Sequence, residues 1–440
     1  MIQRWKTLLG WPFRVADSRL TNVINNLVAR RIVRLAPIRE FAFPYDQIEV
    51  DYSNSAYGFS HLGRVGFFEV KNLFLHTGSG LAFIAPFFRA QPLGIMESGL
   101  EDYQLLAEQS KIYRAFAGFD AASTPEIEFD RPAFLFNVFK NKSNYYHFFI
   151  DNALRLITFL EYNKRPVTIL TAPHNNKYMK EFFALVEQIY PCKIEARPNK
   201  SEHYRIRSPL IFMEPVLRNI GNFSANEEWV LNRIRKDPSV NLGGEDPSLF
   251  QPFREHYLTP KSWELESTRT VRFKNNTLLF LPSQTSIDCF DSFISQLETM
   301  GFLQQKTDKV VYITRASDSQ RGRTISNEKS LLDAIPEAKP VNFGDLSLTE
   351  QISTARNADV LIGAIGAGLT NALFMRKNAT VIEIVPATYS IPASNHIENI
   401  CALRHLKHHR IYSSPLDKNR CTKVSPMSVA AVIRLSSTET

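Results

Sequence analysis

The strongest constraint on this chain is an alternation in its last third. Thr277–Leu281 is apolar, Asp288–Thr299 has helical periodicity and Lys309–Thr314 is a β-branched run. Asn327–Ala334 and Thr349–Asn357 read as helices, Asp359–Gly363 as a strand, Gly368–Met375 as a helix and Thr380–Val385 as a strand. Strands that are apolar throughout have no wet face and must be covered on both sides. Helices between them make the strands parallel. The pattern predicts an α/β unit with a doubly wound parallel sheet, in which ligands lie outside the carboxyl ends of the strands.

Upstream the signals change. Residues 40–135 are rich in aromatic residues and turn formers, which suits short strands and loops. Asn144–Leu160 reads as one amphipathic helix, Pro166–Leu170 as a buried strand, and 176–190 as a helix ended by Pro191. Breakers gather over 236–262 (Gly243-Gly244-Glu245-Asp246-Pro247 among them), which marks an interdomain region. With 440 residues, 44% of them hydrophobic, the chain can build two cores, at roughly 150 residues per domain. The division expected is an arm over 1–40, an N-terminal α/β domain over 41–255 and a C-terminal domain over 256–440. The four cysteines (Cys192, Cys289, Cys401, Cys421) form no C-x-x-C pair, which argues against a disulfide framework or a structural zinc and fits a reducing compartment. No apolar run approaches the roughly 18 residues of a membrane-spanning helix.

Charge is concentrated at one end. Of a net +8, residues 1–40 carry +6, from eight bases against Asp17 and Glu40. A body at only +2 argues against wrapping nucleic acid. The arm interleaves its bases with Trp5, Leu8, Leu9, Trp11 and Phe13, which suits either an interfacial segment on an anionic leaflet or a helix docked on the body.

Three places hold residues suited to chemistry. Strand 309–314 runs into Arg315, Arg321 and Arg323 ahead of a helix start near Ser326, an arrangement that matches phosphate geometry. Composition alone fits a solvated loop equally well. Strand 359–363 runs into Gly366-Ala367-Gly368-Leu369-Thr370-Asn371, small enough to let backbone approach a ligand, although close helix–sheet packing would use the same residues. The third place opens the helix at 144. There Asn144, His147, Asp151, Arg155 and Thr158 fall on one helical stripe, and His147 and Asp151 at i, i+4 can touch. A plain polar face of a surface helix is the alternative.

Asn144-Tyr145-Tyr146-His147-Phe148-Phe149-Ile150-Asp151 resembles the N-terminal signature of glycosyltransferase family 61. Tyr312-Ile313-Thr314-Arg315, continuing to Arg323-Thr324-Ile325-Ser326-Asn327-Glu328, is similar to that family's arginine segment. Ser347–Ile352, Ala358-Asp359 and Gly366–Met375 resemble its C-terminal signature, and the Val381–Ile384 strand comes next in place. The resemblance covers roughly residues 130–390. It implies a GT-B-like fold, two Rossmann-like domains facing across a cleft, and an inverting transfer from a nucleotide sugar held by the C-terminal domain. On that resemblance Arg315 and Arg323 neutralise the diphosphate, and Asn327 and Glu328 fix their segment or touch the nucleotide. Gly366–Asn371 would approach the phosphates and Glu383 would reach the ribose. Asn144 and Arg155 fall on the acceptor side, with His147 or Asp151 as general base.

No D-x-D motif occurs, so no metal or other cofactor is expected. One departure stands out. Family members commonly have His directly before Gly-Ala-Gly-Leu-Thr-Asn, and this chain has Ile365. The sequence therefore suggests a bacterial-type cytoplasmic enzyme at the inner leaflet, adding sugar to a glycan or lipid-linked glycan for capsular or other surface polysaccharide. Its rivals are a non-catalytic nucleotide-sugar-binding protein and a transferase of a non-sugar group on the same scaffold.

Overall fold

The computed structural model describes residues 34–37, 43–51, 62–77, 81–84, 93–96, 119–136, 144–173, 176–197, 202–215, 283–315, 324–386, 395–419 and 421–438. The arm before residue 34, the interdomain stretch 236–262 and the predicted strand Thr277–Leu281 lie outside the described residues.

In the N-terminal half β1 (Ala133–Leu135), α1 (Leu154–Tyr162), β2 (Val167–Thr171), α2 (Lys177–Ile189) and β3 (Cys192–Ala196) form two successive β-α-β units. β4 (Leu210–Pro215) adds a parallel strand beside β1, and Leu62–Val70 and Phe43–Asp51 extend the sheet antiparallel beyond it. The two-residue period of a strand divides the side chains. Phe67, Phe134, Ile169 and Ile211 face α1 and α2, while Phe68, Leu135, Leu170 and Phe212 face away. On that second face lies another sheet, which includes Leu73–His76, Leu81–Ile84 and His203–Ile206. Leu73, Leu75, Ala82 and Ile206 fill the space between the sheets. Two Rossmann-like domains would have helices on both faces of each sheet. Here strands from the turn-rich segment 40–135, joined by Arg34–Pro37 and His203–Ile206, form a second sheet on one face instead. Arg34–Pro37, the end of the basic arm, is a strand of that sheet, paired in parallel with Leu93–Met96.

The C-terminal half begins with α3 (Gln284–Thr299), closed at its start by a Ser283–Ser286 capping box. Then come β5 (Val310–Ile313), α4 (Glu328–Ala334), β6 (Ala338–Val341), α5 (Leu348–Asn357), β7 (Val360–Ala364), a 3-10 helix over Ala367–Phe374, β8 (Thr380–Pro386), α6 (Asn395–Leu403), β9 (Lys407–Ser413) and α7 (Pro426–Thr438). The five strands are all parallel in the order β6-β5-β7-β8-β9, with Val310 opposite both Ala338 and Val360. The alternation predicts a doubly wound parallel sheet, and the strand order is that of such a fold. Tyr312, Ile362, Ile382 and Ile411 face α4 and α7, while Val311, Leu361 and Val381 face the core that includes α5, the 3-10 helix and α6.

That second core continues into the N-terminal half, so the two halves share apolar packing. Phe149 meets Phe374 edge-on at 5.4 Å between ring centroids, Phe290 stacks on Phe374 at 5.9 Å, and Phe182 meets Phe293 at 5.9 Å. Polar bridges accompany the rings. Glu161 Oε1 accepts from Tyr190 (2.5 Å), Ser292 (3.3 Å) and Gln296 (3.3 Å). The Glu181 carboxylate accepts from the Leu348 amide at 2.6 Å, capping the start of α5 from the opposite half. Among the described residues no helix is long and apolar enough to cross a membrane, and all four cysteines are free thiols.

Candidate active site

The chain leaves β5 toward β6 on one side and reaches β7 on the other, so the carboxyl ends of β5 and β7 diverge at the switch point of the sheet. Two of the three sequence segments converge there. Arg315 comes just after β5, beyond a Thr314 amide that donates to the Val341 carbonyl at 3.0 Å. Gly366 comes just after β7 with φ +147°, a conformation that favours glycine. A Cβ on Gly366 would lie 2.3 Å from Arg315 Nη2, so the guanidinium rests against the bare α-carbon.

Within the turn, Gly366, Ala367 and Gly368 are half-buried, whereas Leu369, Thr370 and Asn371 are buried. The backbone a ligand can reach is therefore the first three residues. The arginine segment is anchored behind them. Asn327 pairs with the Val424 backbone in both directions (Nδ2 to O 2.8 Å, N to Oδ1 3.1 Å). Glu328 accepts from the buried Tyr312 hydroxyl. Burial, the Glu328 charge and that hydrogen bond hold the phenol well above its ordinary pKa, with Arg315 opposing them. Arg321 and Arg323 lie outside the described residues.

The third segment differs from the uniform helix its periodicity predicts. Tyr145–His147 is a single α turn, Phe148–Ala153 is π-helical, and α1 continues from there. The Asn144 side chain caps the start, accepting from the amides of Tyr146 (3.0 Å) and His147 (3.5 Å). A π-helical insertion turns the downstream side chains by about 100° for each extra residue. The i+5 partner, Asn152, thus reaches back to donate to the His147 carbonyl at 3.0 Å. His147 is half-buried, and the Asp151 side chain lies outside the described residues. Arg155 and Thr158, expected on an open polar stripe, are fully buried against the sheet. Arg155 donates to the Leu135 carbonyl at 2.9 Å and lies over the Phe134 ring, and burial pulls its pKa down to about 9.

Tyr145 joins this segment to the turn. Its hydroxyl donates to Gln351 Oε1 (2.7 Å) on α5 and to Asn371 Oδ1 (3.0 Å). A continuous contact path therefore runs from the His147 turn through Asn371 and the glycine turn to Arg315. With that path in place, the relationship to known proteins becomes informative. The family model for glycosyltransferase 61 matches residues 145–382, more than half of the chain and all of this path. The chain belongs to glycosyltransferase family 61.

Two curated relatives of family 61 type match shorter stretches. An EGF domain-specific O-linked N-acetylglucosamine transferase of Drosophila melanogaster is 30% identical over 110 residues, 24% of this chain and 20% of its own length. A beta-1,2-xylosyltransferase of Oryza sativa subsp. japonica is 32% identical over 97 residues, 20% of this chain and 18% of its own. The chain spans about a fifth of each relative's length.

Two positions singled out in the sequence lie off this path. Glu383 lies at mid-strand in β8, fully buried, and its Oε2 lies 3.2 Å from His408 Nε2 and accepts from Arg410 Nε at 3.3 Å. Ile365, at the position of the common family His, is 5% exposed, and its amide donates to the Ile384 carbonyl at 2.9 Å. Sequence reasoning left Tyr145 without a role. It stands inside a family signature, but nothing in its spacing shows that it meets Asn371 across 226 residues.

Proposed function

We propose that this family 61 member is an inverting glycosyltransferase that moves a sugar from a nucleotide donor to a glycan acceptor. The observation that carries this reading is the Arg315 guanidinium seated against Gly366 at the switch point, where a diphosphate would meet a fixed cation and open backbone. In such a displacement the acceptor oxygen bonds to the anomeric carbon as the bond to the diphosphate breaks. The acceptor proton passes to a base, and the leaving diphosphate gains charge. Arg315, joined by Arg323, would stabilise that charge. His147 or Asp151, on the turn tied to the same loop by Tyr145, would take the proton. Residues 41–255 would carry the acceptor across a cleft from the donor half, 256–440.

The absence of a D-x-D motif supports a reaction that proceeds without a divalent metal. The two relatives' names supply N-acetylglucosamine and xylose as first sugars to try. The basic segment before residue 34 supports a lipid-linked acceptor at an anionic inner leaflet, within surface or capsular polysaccharide assembly in the cytoplasm.

A thermal-shift screen in EDTA against nucleoside diphosphates and their N-acetylglucosamine and xylose conjugates tests the donor site. A ligand at 100 times its Kd stabilises by about 2.7 kcal/mol, a clear rise in Tm. No shift with any nucleotide, even after Mg2+ is restored, would reject the donor site. A second reading rests on Ile365. Where relatives commonly place an ionisable His, this chain has a buried aliphatic, which favours a protein that binds nucleotide sugar without turning it over. Donor binding with no release of nucleoside diphosphate in the presence of acceptor would select that reading.

A further inference from the structure

The Tyr145 hydroxyl has one proton and faces two amide oxygens, Gln351 Oε1 at 2.7 Å and Asn371 Oδ1 at 3.0 Å. Neither amide can turn its nitrogen toward the phenol without loss, because both nitrogens are committed. Gln351 Nε2 donates to the Leu346 carbonyl at 3.2 Å, and Asn371 Nδ2 donates to the Gly368 carbonyl at 2.8 Å. Gln351 and Asn371 are 5% and 1% exposed, so water does not replace a lost partner. Burial, reinforced by Tyr178, holds the phenol well above its ordinary pKa, which keeps it a donor at any working pH.

The two bonds have different destinations. Gln351 leads to Leu346, ahead of α5 and away from the glycine turn. Asn371 leads to Gly368, whose Cα packs beside Ile313 at the end of β5, two residues from Gly366 and its Arg315 contact. We propose that Tyr145 is a positioning residue for the donor turn: reaching across from the acceptor half, its hydroxyl fixes the Asn371 amide, and Asn371 in turn fixes the Gly368 carbonyl. This rests on the donor-site reading above. It implies that the donor loop has its binding geometry only while the turn bearing His147 is docked, so that one contact serves both halves of the reaction.

Tyr145→Phe keeps the ring contacts with Phe149 (4.7 Å) and Tyr178 (5.0 Å) and removes only the hydroxyl. Donor affinity is measured by calorimetry with UDP, GDP, CDP and ADP, well below each variant's Tm. For the diphosphate that binds wild type, Tyr145→Phe should weaken binding by about fivefold or more, as loss of one buried hydrogen bond implies. Asn371→Asp retains an acceptor for Tyr145 but loses the donor to Gly368, and should weaken binding at least as much. The double variant should bind no worse than Asn371→Asp alone, because both changes cut one path. Gln351→Met loosens the same interface yet leaves the Tyr145 proton to Asn371, so its affinity should stay within about twofold of wild type.

Equal losses in Gln351→Met and Tyr145→Phe, or additive losses in the double variant, would show general loosening and overturn the proposal. Should Tyr145→Phe fail to fold, Asn371→Asp against Gln351→Met decides in the same way. A wild-type protein that binds none of the four diphosphates rejects the donor site and this inference together. Binding that survives Tyr145→Phe intact rejects the inference alone.

Discussion

Arg315→Ala is expected to weaken binding of the nucleoside diphosphate by about 100-fold and to lower kcat/KM by about 1,000-fold, the range seen when a donor to developing charge is removed. The larger effect on kcat/KM comes from the reaction itself. The diphosphate gains charge as the glycosidic bond breaks, so a fixed cation does more for the transition state than for the bound donor. Arg315→Lys should not rescue. The guanidinium is a planar fork with Nη2 seated against Gly366, and an ammonium offers neither the plane nor two parallel N–H bonds. Gly366→Ala approaches the same site from the other side. Its Cβ would lie 2.3 Å from Nη2 at a backbone angle of +147°, so it should reproduce most of the Arg315→Ala loss without removing a charge. His147→Gln provides the contrast, with turnover lost and diphosphate affinity kept within about twofold if His147 handles a proton. Arg315→Ala that binds diphosphate as wild type does would remove the cation from the donor site.

The C-terminal sheet was legible because strands buried on both faces read as unbroken apolar runs, and β5, β7 and β8 fall within about a residue of their expected bounds. β6 and β9 were not. β6 contains Pro340, which only an edge strand tolerates, and β9 opens Lys407-His408-His409-Arg410, a polar start that looks like a loop. Both are the outer strands of the sheet. The 3-10 helix at Ala367–Phe374 reads as an ordinary helix from its pattern, since eight residues rich in small and apolar side chains do not distinguish the two periods. Around residue 147 a repeat of 3.6 places Arg155 and Thr158 on an open stripe, but the π-helical stretch changes the phase, and both end in the core. Arg315 and the glycine turn were recognisable as residue types at strand ends. Their meeting depends on the order β6-β5-β7, which no local pattern contains.

Glu383 illustrates a different limit, and it carries the largest expected effect on stability. The family resemblance implies that Glu383 reaches the ribose, yet here its charge pairs with His408 and Arg410. Glu383 Oε2 is shared by His408 and Arg410, and Arg410 Nη2 also reaches Glu398 Oε2 at 3.4 Å. Burial opposes ionisation of Glu383, but the His408 hydrogen bond and the charges of Arg410 and His408 outweigh it and hold the carboxyl below its ordinary value. Burial likewise works against the Arg410 charge, and Tyr412, Glu383 and Glu398 overcome it. Arg410→Met should therefore destabilise the protein by about 3–5 kcal/mol near neutral pH, because it leaves buried carboxylates without their cation.

The pH dependence separates this from a simple packing loss. In wild type Glu383 has a depressed folded-state pKa, so its stabilisation is present above the unfolded carboxylate value, about 4.3, and is lost as the pH falls through the folded value. In Arg410→Met the buried Glu383 carboxyl, with burial no longer opposed by the Arg410 charge, should titrate above that unfolded value. Folded variant then takes up protons that unfolded chain does not, and acidification favours folding. Denaturant unfolding at pH 8 and at pH 5 should accordingly show the gap between wild type and variant narrowing at the lower pH. A gap that stays constant would mean that the cost is lost packing around the arginine stem and that the buried charges do not depend on Arg410.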